Sequence, residues 1–330
     1  METLLLLWLG SMFLTPAYNS VGFQQLSVPD PQGKTLSAAV WFPSVGKPVS
    51  VSVGPFQQMV VLDGVVSGTR LPLVLISHGT AGSEASHYDT AMALAANGFV
   101  VVALTHTGDN YMDPSYAGNR KNLTDRPRQV SVVLSYLLTT WAQHDRLDPA
   151  RVGMFGFSLG GFTTLVEIGG IPDESRMQDL CTKRPTAPEC LFIKQRNGDQ
   201  LSAETFTSSW THDQRVKAAV LAAPAVSYLF GPGSLKDVKV PIQLWRASND
   251  EQVPDAWNTA VIRQELPMTP EEHVVNGAGH YAFLPPCGEA LAKQVPQICT
   301  DDPGFDRQAF HRDFNTAVVG FFQKALGPYR

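Results

Sequence analysis

An apolar run, Arg151-Val152-Gly153-Met154-Phe155, leads without interruption into Gly156-Phe157-Ser158-Leu159-Gly160 and then into a helix-compatible stretch. Strand, very tight turn and helix in that order constrain the fold more than any other feature of the chain, because the turn holds a serine out as a nucleophile would be held. Crowding explains the glycines: where strand and helix meet this closely, a Cβ at position 156 or 160 has no room. The five-residue pattern alone is weak and occurs by chance in chains of this length, so its surroundings decide its weight.

Those surroundings are regular. Apolar runs that read as buried strands recur at Leu71–Ser77, Phe99–Thr105, Arg151–Phe157, Val216–Ala223, Val240–Ala247 and Glu272–Asn276, with helical segments between them. This alternation predicts a single α/β domain, a mostly parallel central sheet with helices on both faces. Upstream, Leu36–Phe42 and Val49–Val53 read as an antiparallel pair at one edge. Thr124-Asp125-Arg126-Pro127, followed by Val130, Val133, Leu134, Leu137 and Leu138, reads as a cap-and-proline helix start. Between about 169 and 213 the pattern lapses into a polar, Pro-containing stretch with Phe192, Phe206 and Trp210, too long for an ordinary connection and expected to form a cap over the site.

A serine hydroxyl needs a base to take its proton. His280, in the Gly-rich loop Asn276-Gly277-Ala278-Gly279-His280-Tyr281 after the last strand, is expected to fill that role. Asp250, in the loop after Val240–Arg246, is the leading carboxylate to orient the imidazole, with Glu251 and Asp255 as neighbouring rivals. The negative charge developed on an attacked carbonyl calls for backbone N–H donors. Leu159, at the helix start, supplies one. The second is expected from Thr80, with Gly79 as the alternative, in the loop after Ile76-Ser77-His78-Gly79-Thr80-Ala81-Gly82. His78 is read as organising that loop rather than as a base. Phe157, Tyr111, Met112, Tyr116 and Tyr281 are placed at the acyl pocket from loop position.

On Ser77-His78-Gly79, Thr105-His106-Thr107-Gly108-Asp109, Gly156 to Gly161, Asn249-Asp250 and Gly279-His280, the chain resembles the α/β-hydrolase superfamily. Within it, the resemblance is to the branch of dienelactone-hydrolase-like proteins and plasma-type platelet-activating-factor acetylhydrolases. The likeness runs in short islands from about residue 33 onward. It implies a Ser158-His280-Asp250 triad with the N–H groups of Leu159 and Thr80 as oxyanion hole. True dienelactone hydrolases carry a cysteine nucleophile, so their substrate is not inherited with the fold.

The chain has 330 residues, 44% hydrophobic and 17% charged, enough for a large core and unlike a disordered polymer. A net charge of −5 without a Lys/Arg block argues against nucleic acid or an anionic membrane as the main partner. The stretch Leu4–Leu14 followed by Thr15-Pro16-Ala17 has signal-peptide length and small residues at its end, so 1–17 is expected to be cleaved and 18–330 to form the mature domain, although Glu2 stands where a basic residue is usual. Four cysteines permit three pairings; Cys181 with Cys190 and Cys287 with Cys299 are favoured, two short loops suited to an oxidising, secreted or periplasmic setting. The sequence thus points to a carboxylic-ester hydrolase that forms an acyl-enzyme on small or acyl-chain esters. No cofactor or metal is expected. A phospholipid or amide hydrolase, and a silent hydrolase fold used for binding, are the alternatives.

Overall fold

The computed structural model describes residues 20–197 and 210–327, so the expected leader at 1–17 and Phe206 of the cap lie outside the described residues. In chain order the strands are β1 (Ser20–Val28), β2 (Leu36–Ser44), β3 (Val49–Val53), β4 (Phe56–Leu62), β5 (Leu71–Ser77), β6 (Val100–Leu104), β7 (Leu147–Phe157), β8 (Val216–Ala222), β9 (Ile242–Ala247) and β10 (Glu271–Val275). They form one ten-stranded sheet ordered β10-β9-β8-β7-β5-β6-β2-β1-β4-β3. The block from β10 to β6 is parallel throughout. β2 then runs antiparallel to both β6 and β1.

Period-two alternation of apolar side chains feeds two cores. Leu71, Leu73 and Leu75 of β5 face one side, packing with Val130 and Leu134 of α2 (Arg120–Thr139) and Phe162 and Leu165 of α3 (Leu159–Glu167), whereas Val74 and Ile76 face the other. There they meet Leu94 of α1 (Tyr88–Ala96) and Phe314 and Val318 of α9 (Arg307–Leu326). Strands buried on both faces read as unbroken apolar runs, which is why β5 and β6 were visible in the sequence, whereas β10 at the sheet edge is largely exposed.

Two local expectations are corrected. The segments at Leu36–Phe42 and Val49–Val53 do not pair with each other: β2 lies inside the sheet between β6 and β1, and β3 hairpins with β4 at the edge. The difference is visible in burial, β2 being buried at all but one position and β3 largely exposed. Likewise α2 begins at Arg120 rather than near Thr124, because Asn119 caps it by accepting from Lys121 N at 2.9 Å, and Pro127 sits inside the helix. Proline removes one N–H from the ladder there.

In the segment after α3, the described part holds α4 (Ser175–Lys183) and α5 (Pro188–Asn197), joined by the Cys181–Cys190 disulfide. These helices rest on loops at the carboxyl ends of the strands. Arg176 Nε donates to Tyr228 O at 2.7 Å, Glu189 accepts from Trp257 Nε1 and Asn258 Nδ2, both at 2.9 Å, and Phe192 and Arg196 lie over Gly118. Beyond β10, α6 (Thr259–Glu265) having preceded it, α7 (Glu289–Gln294) and α8 (Pro296–Cys299) lie within the loop closed by Cys287–Cys299. Both favoured cysteine pairings are present, with no free cysteine among the described residues. No described helix is long and apolar enough to cross a membrane.

Candidate active site

The turn after β7 puts Ser158 at φ 53°, ψ −120°, a conformation costing a non-glycine residue on the order of 1–3 kcal/mol. Its surroundings leave no alternative. Ser158 N–H donates to Ala222 O at 2.9 Å, and Ser158 O accepts from Gly161 N at 2.8 Å and Ala225 N at 3.0 Å. A Cβ on Gly156 would lie 2.1 Å from Gly160 O, and one on Gly160 would lie 1.9 Å from Ser77 O. Strand, elbow and helix touch here through backbone alone.

His280 Nε2 lies 3.0 Å from Ser158 Oγ, and His280 Nδ1 lies 2.7 Å from Asp250 Oδ2. A serine O–H donating to Nε2 and an Nδ1–H donating to the carboxylate make one consistent tautomer. The three residues come from the carboxyl ends of β7, β10 and β9, respectively 122 and 30 residues apart by pair. The other oxygen of Asp250, Oδ1, accepts from Gln252 N at 3.0 Å and Val253 N at 2.7 Å, which fixes the carboxylate. Of its rivals, Glu251 is exposed and Asp255 is engaged by Arg263 at 2.9 and 3.0 Å. The His280 and Asp250 side chains are 6% and 4% exposed, so their contact is little competed by water. Ser158 itself is only 8% exposed, less open than the tight turn suggests.

Leu159 opens α3, so its N–H has no intrahelical acceptor. Among the described residues none accepts from Leu159 N or Thr80 N. Gly79 is packed against Ser158: a Cβ there would stand 3.0 Å from Ser158 Cβ. Phe157 and Tyr281 flank the imidazole, with ring centroids 4.9 and 5.4 Å from that of His280. Burial, with the Asp250 charge behind it, raises the Tyr281 hydroxyl above the usual phenol range, so it stays neutral. Tyr116 packs over Gly108, while Tyr111 and Met112 are 67% and 78% exposed, Met112 beside an outer concavity shared with Lys34, Asp113 and Arg196. The structure records no contact of these three with Ser158.

A second polar cluster lies beneath the site, and its centre, Arg126, was not singled out in the sequence. Arg126 and Asp109 form an ion pair at 2.7 Å with both side chains fully buried. Around it, His106 donates Nδ1–H to Gln129 Oε1 and receives Ser77 Oγ–H at Nε2, both at 2.9 Å. His78 Nδ1–H donates to Gly79 O at 2.6 Å, and its Nε2 accepts from His106 N at 3.1 Å. Burial, with the Arg126 charge nearby, pushes His78 down to about 3 and His106 well below the usual imidazole range, so both rings are neutral. His78 is therefore a loop organiser. The signal for Arg126 was available: it lies on the apolar stripe of α2 between Leu123 and Val130, where a charge must have a partner. Among the described residues no three His, Cys, Asp or Glu side chains are grouped to hold a metal ion.

No protein-family profile matches the chain, and no curated protein matches it in sequence. Among solved structures it is similar to a ferulic acid esterase from Streptomyces cinnamoneus, with a TM-score of 0.64 over 96% of this chain and 92% of that one, at 17% sequence identity. At that identity the likeness concerns architecture. The parallel block, the flanking helices and this neighbour define an α/β-hydrolase fold.

Proposed function

We propose that the protein is a serine carboxylic-ester hydrolase. The observation that carries this reading is the unbroken line of hydrogen bonds from Ser158 through His280 to Asp250 at the carboxyl edge of the sheet. Ser158 Oγ attacks the acyl carbon as its proton passes to His280 Nε2, while Asp250 stabilises the imidazolium and the N–H groups of Leu159 and Thr80 receive the carbonyl oxygen. Collapse of the tetrahedral intermediate breaks the ester C–O bond, and His280 returns the proton to the departing alcohol. Water then adds to the acyl-enzyme with His280 again as base, releasing the acid and restoring Ser158. The substrate class is a small-molecule or acyl-chain ester, a reading that the esterase neighbour supports. Phe157 and Tyr281, beside the imidazole, are the pocket residues with the best placement, and α4 and α5 serve as its cap.

Hydrolysis of p-nitrophenyl acetate, butyrate and octanoate, run beside a short-chain phospholipid and an aryl amide, tests the reading together with fluorophosphonate labelling. The expected result is one label per chain, complete loss of turnover on labelling, and fastest turnover on one of the p-nitrophenyl esters. Folded protein that takes no label and turns over none of the esters would defeat it; preference for the phospholipid or the amide would move the substrate class and leave the nucleophile.

Two disulfides suit an oxidising compartment. We further propose that residues 1–17 direct export and are removed. Amino-terminal sequencing of protein recovered from the medium or periplasm should begin near residue 18; intact Met1 on the recovered chain would refute cleavage.

A further inference from the structure

We propose that the buried Asp109–Arg126 pair positions the oxyanion hole, holding the Thr80 and Leu159 N–H groups at a fixed separation. The proposal rests on the reading of Ser158 as nucleophile. Its starting point is peptide planarity: in a trans peptide the N–H of one residue points opposite to the carbonyl of the residue before it, so gripping that carbonyl aims the N–H. Both proposed donors are aimed in this way. Gly79 O, trans to Thr80 N–H, accepts from His78 Nδ1 at 2.6 Å and from Gly82 N at 3.1 Å. Ser158 O, trans to Leu159 N–H, accepts from Gly161 N and Ala225 N.

The two aimed peptides belong to different strands' loops, and something must fix one against the other. Arg126 does so with three different nitrogens. Its Nη2 donates to His78 O and to Ser77 Oγ on the Thr80 side. Its Nε donates to Thr163 Oγ1 at 3.1 Å, and Thr163 Oγ1 in turn donates to Leu159 O at 3.0 Å on the nucleophile side. Its Nη1 is anchored by Asp109 Oδ2 at 2.7 Å. Asp109 closes the ring through Oδ1, which accepts from Ala81 N at 3.2 Å, the residue after Thr80. The peptides before and after Gly79-Thr80 are thus held by opposite ends of a single ion pair whose third arm reaches the first turn of α3. None of these groups touches the reacting atoms, so Arg126, Asp109 and Thr163 are positioning residues.

A positioning role has a kinetic signature that a purely structural one lacks. Loss of alignment weakens binding of the tetrahedral oxyanion more than binding of the ground-state ester, so kcat falls while KM stays. The test uses two sets of variants of the full chain. Thr163→Val removes the hydroxyl relay at nearly constant volume, and Thr163→Ser restores it. Asp109→Leu with Arg126→Met removes the ion pair without leaving either charge buried alone. Rates on p-nitrophenyl butyrate are taken per fluorophosphonate-titrated site, so that unfolded protein does not count, and the inhibition constant of an aliphatic trifluoromethyl ketone is measured in parallel.

The expected outcome is a fall in kcat of about 10- to 100-fold in Thr163→Val and in the double variant, less than the loss of a whole oxyanion donor. KM should change by less than about threefold, ketone affinity should weaken in step with kcat/KM, and Thr163→Ser should recover most of the rate. Titrated sites of Thr163→Val that turn over within about twofold of wild type, with unchanged ketone affinity, would overturn the positioning role and leave Ser158 as nucleophile. If the double variant does not fold, the Thr163 pair decides the matter alone. Wild-type protein that takes no label would instead sink the hydrolase reading, and the positioning role with it.

Discussion

Ser158→Ala should lower kcat on p-nitrophenyl esters by about 10⁶-fold and abolish fluorophosphonate labelling, with the circular dichroism spectrum unchanged. The size follows from the geometry. Deleting one oxygen removes both the attacking atom and the proton that His280 Nε2 is placed to take at 3.0 Å, while the remaining donors can assist only direct attack by water. The backbone has no reason to rearrange, since the three main-chain hydrogen bonds of residue 158 survive the substitution and only the side-chain bond to His280 is lost. The measurement is steady-state turnover of the purified variant beside wild type. Activity in the variant within about tenfold of wild type would place the chemistry on another residue.

Acid should unfold the protein at or just above the usual carboxylate range, with histidines rather than carboxylates as the main cause. His78 and His87 are held down to about 3 and His106 well below its usual range, in each case first by burial, whereas in the unfolded chain each titrates near 6.5. Above about pH 6.5 neither state carries the extra protons and stability is intact. As pH falls below that value the unfolded chain binds protons that the folded one refuses, so stability declines toward about pH 3. Each ring contributes up to ~1.4 kcal/mol per pH unit and the three together up to ~4, against a total stability of order 10 kcal/mol. Asp30, held below its usual range by the Arg128 guanidinium, adds a loss of the same sign at lower pH. Glu167 works oppositely: burial and the Asp213 charge raise its carboxyl, so acid relieves a penalty there. Urea midpoints from pH 7.5 to 4 should therefore fall steeply below pH 6, with global unfolding near pH 4 to 5 on the order-of-magnitude slopes above. A midpoint that is flat from pH 7 to 5 would show that the folded protein accepts protons on these rings.

What could be read in the sequence divides along physical lines. β5 and β6 were legible because doubly buried parallel strands carry unbroken apolar runs, and the elbow because its glycines answer to close contacts that no side chain could tolerate. The convergence of Ser158, His280 and Asp250 follows from strand order, since each sits just past the carboxyl end of a strand in the same parallel block. β1 and β4 went unread: Phe23-Gln24-Gln25-Leu26 and Phe56-Gln57-Gln58-Met59 mix polar and apolar residues, and their burial depends on neighbours distant in sequence. α2 runs through Pro127 back to the Asn119 cap because its buried face, Leu123, Val130, Val133, Leu134 and Leu137, offsets the lost N–H, a packing term that local boundary signals do not carry. Arg126 was hidden for the same reason, having been read as part of a helix start when it belongs to the second turn, pointed inward. The placement of Tyr111 and Met112 rested on loop position, and loop position does not decide which way a side chain faces.

The left-handed backbone at residue 158 also limits which side chains this position can carry. With φ at 53°, a conformation rarely adopted by β-branched residues, threonine should be strained here even though it brings the same hydroxyl group. Cysteine has the unbranched outline of serine and meets no such barrier. Interchange between oxygen and sulfur thus meets less backbone strain at this elbow than interchange between primary and secondary alcohol, a selectivity set by a single torsion angle rather than by the reactivity of the groups.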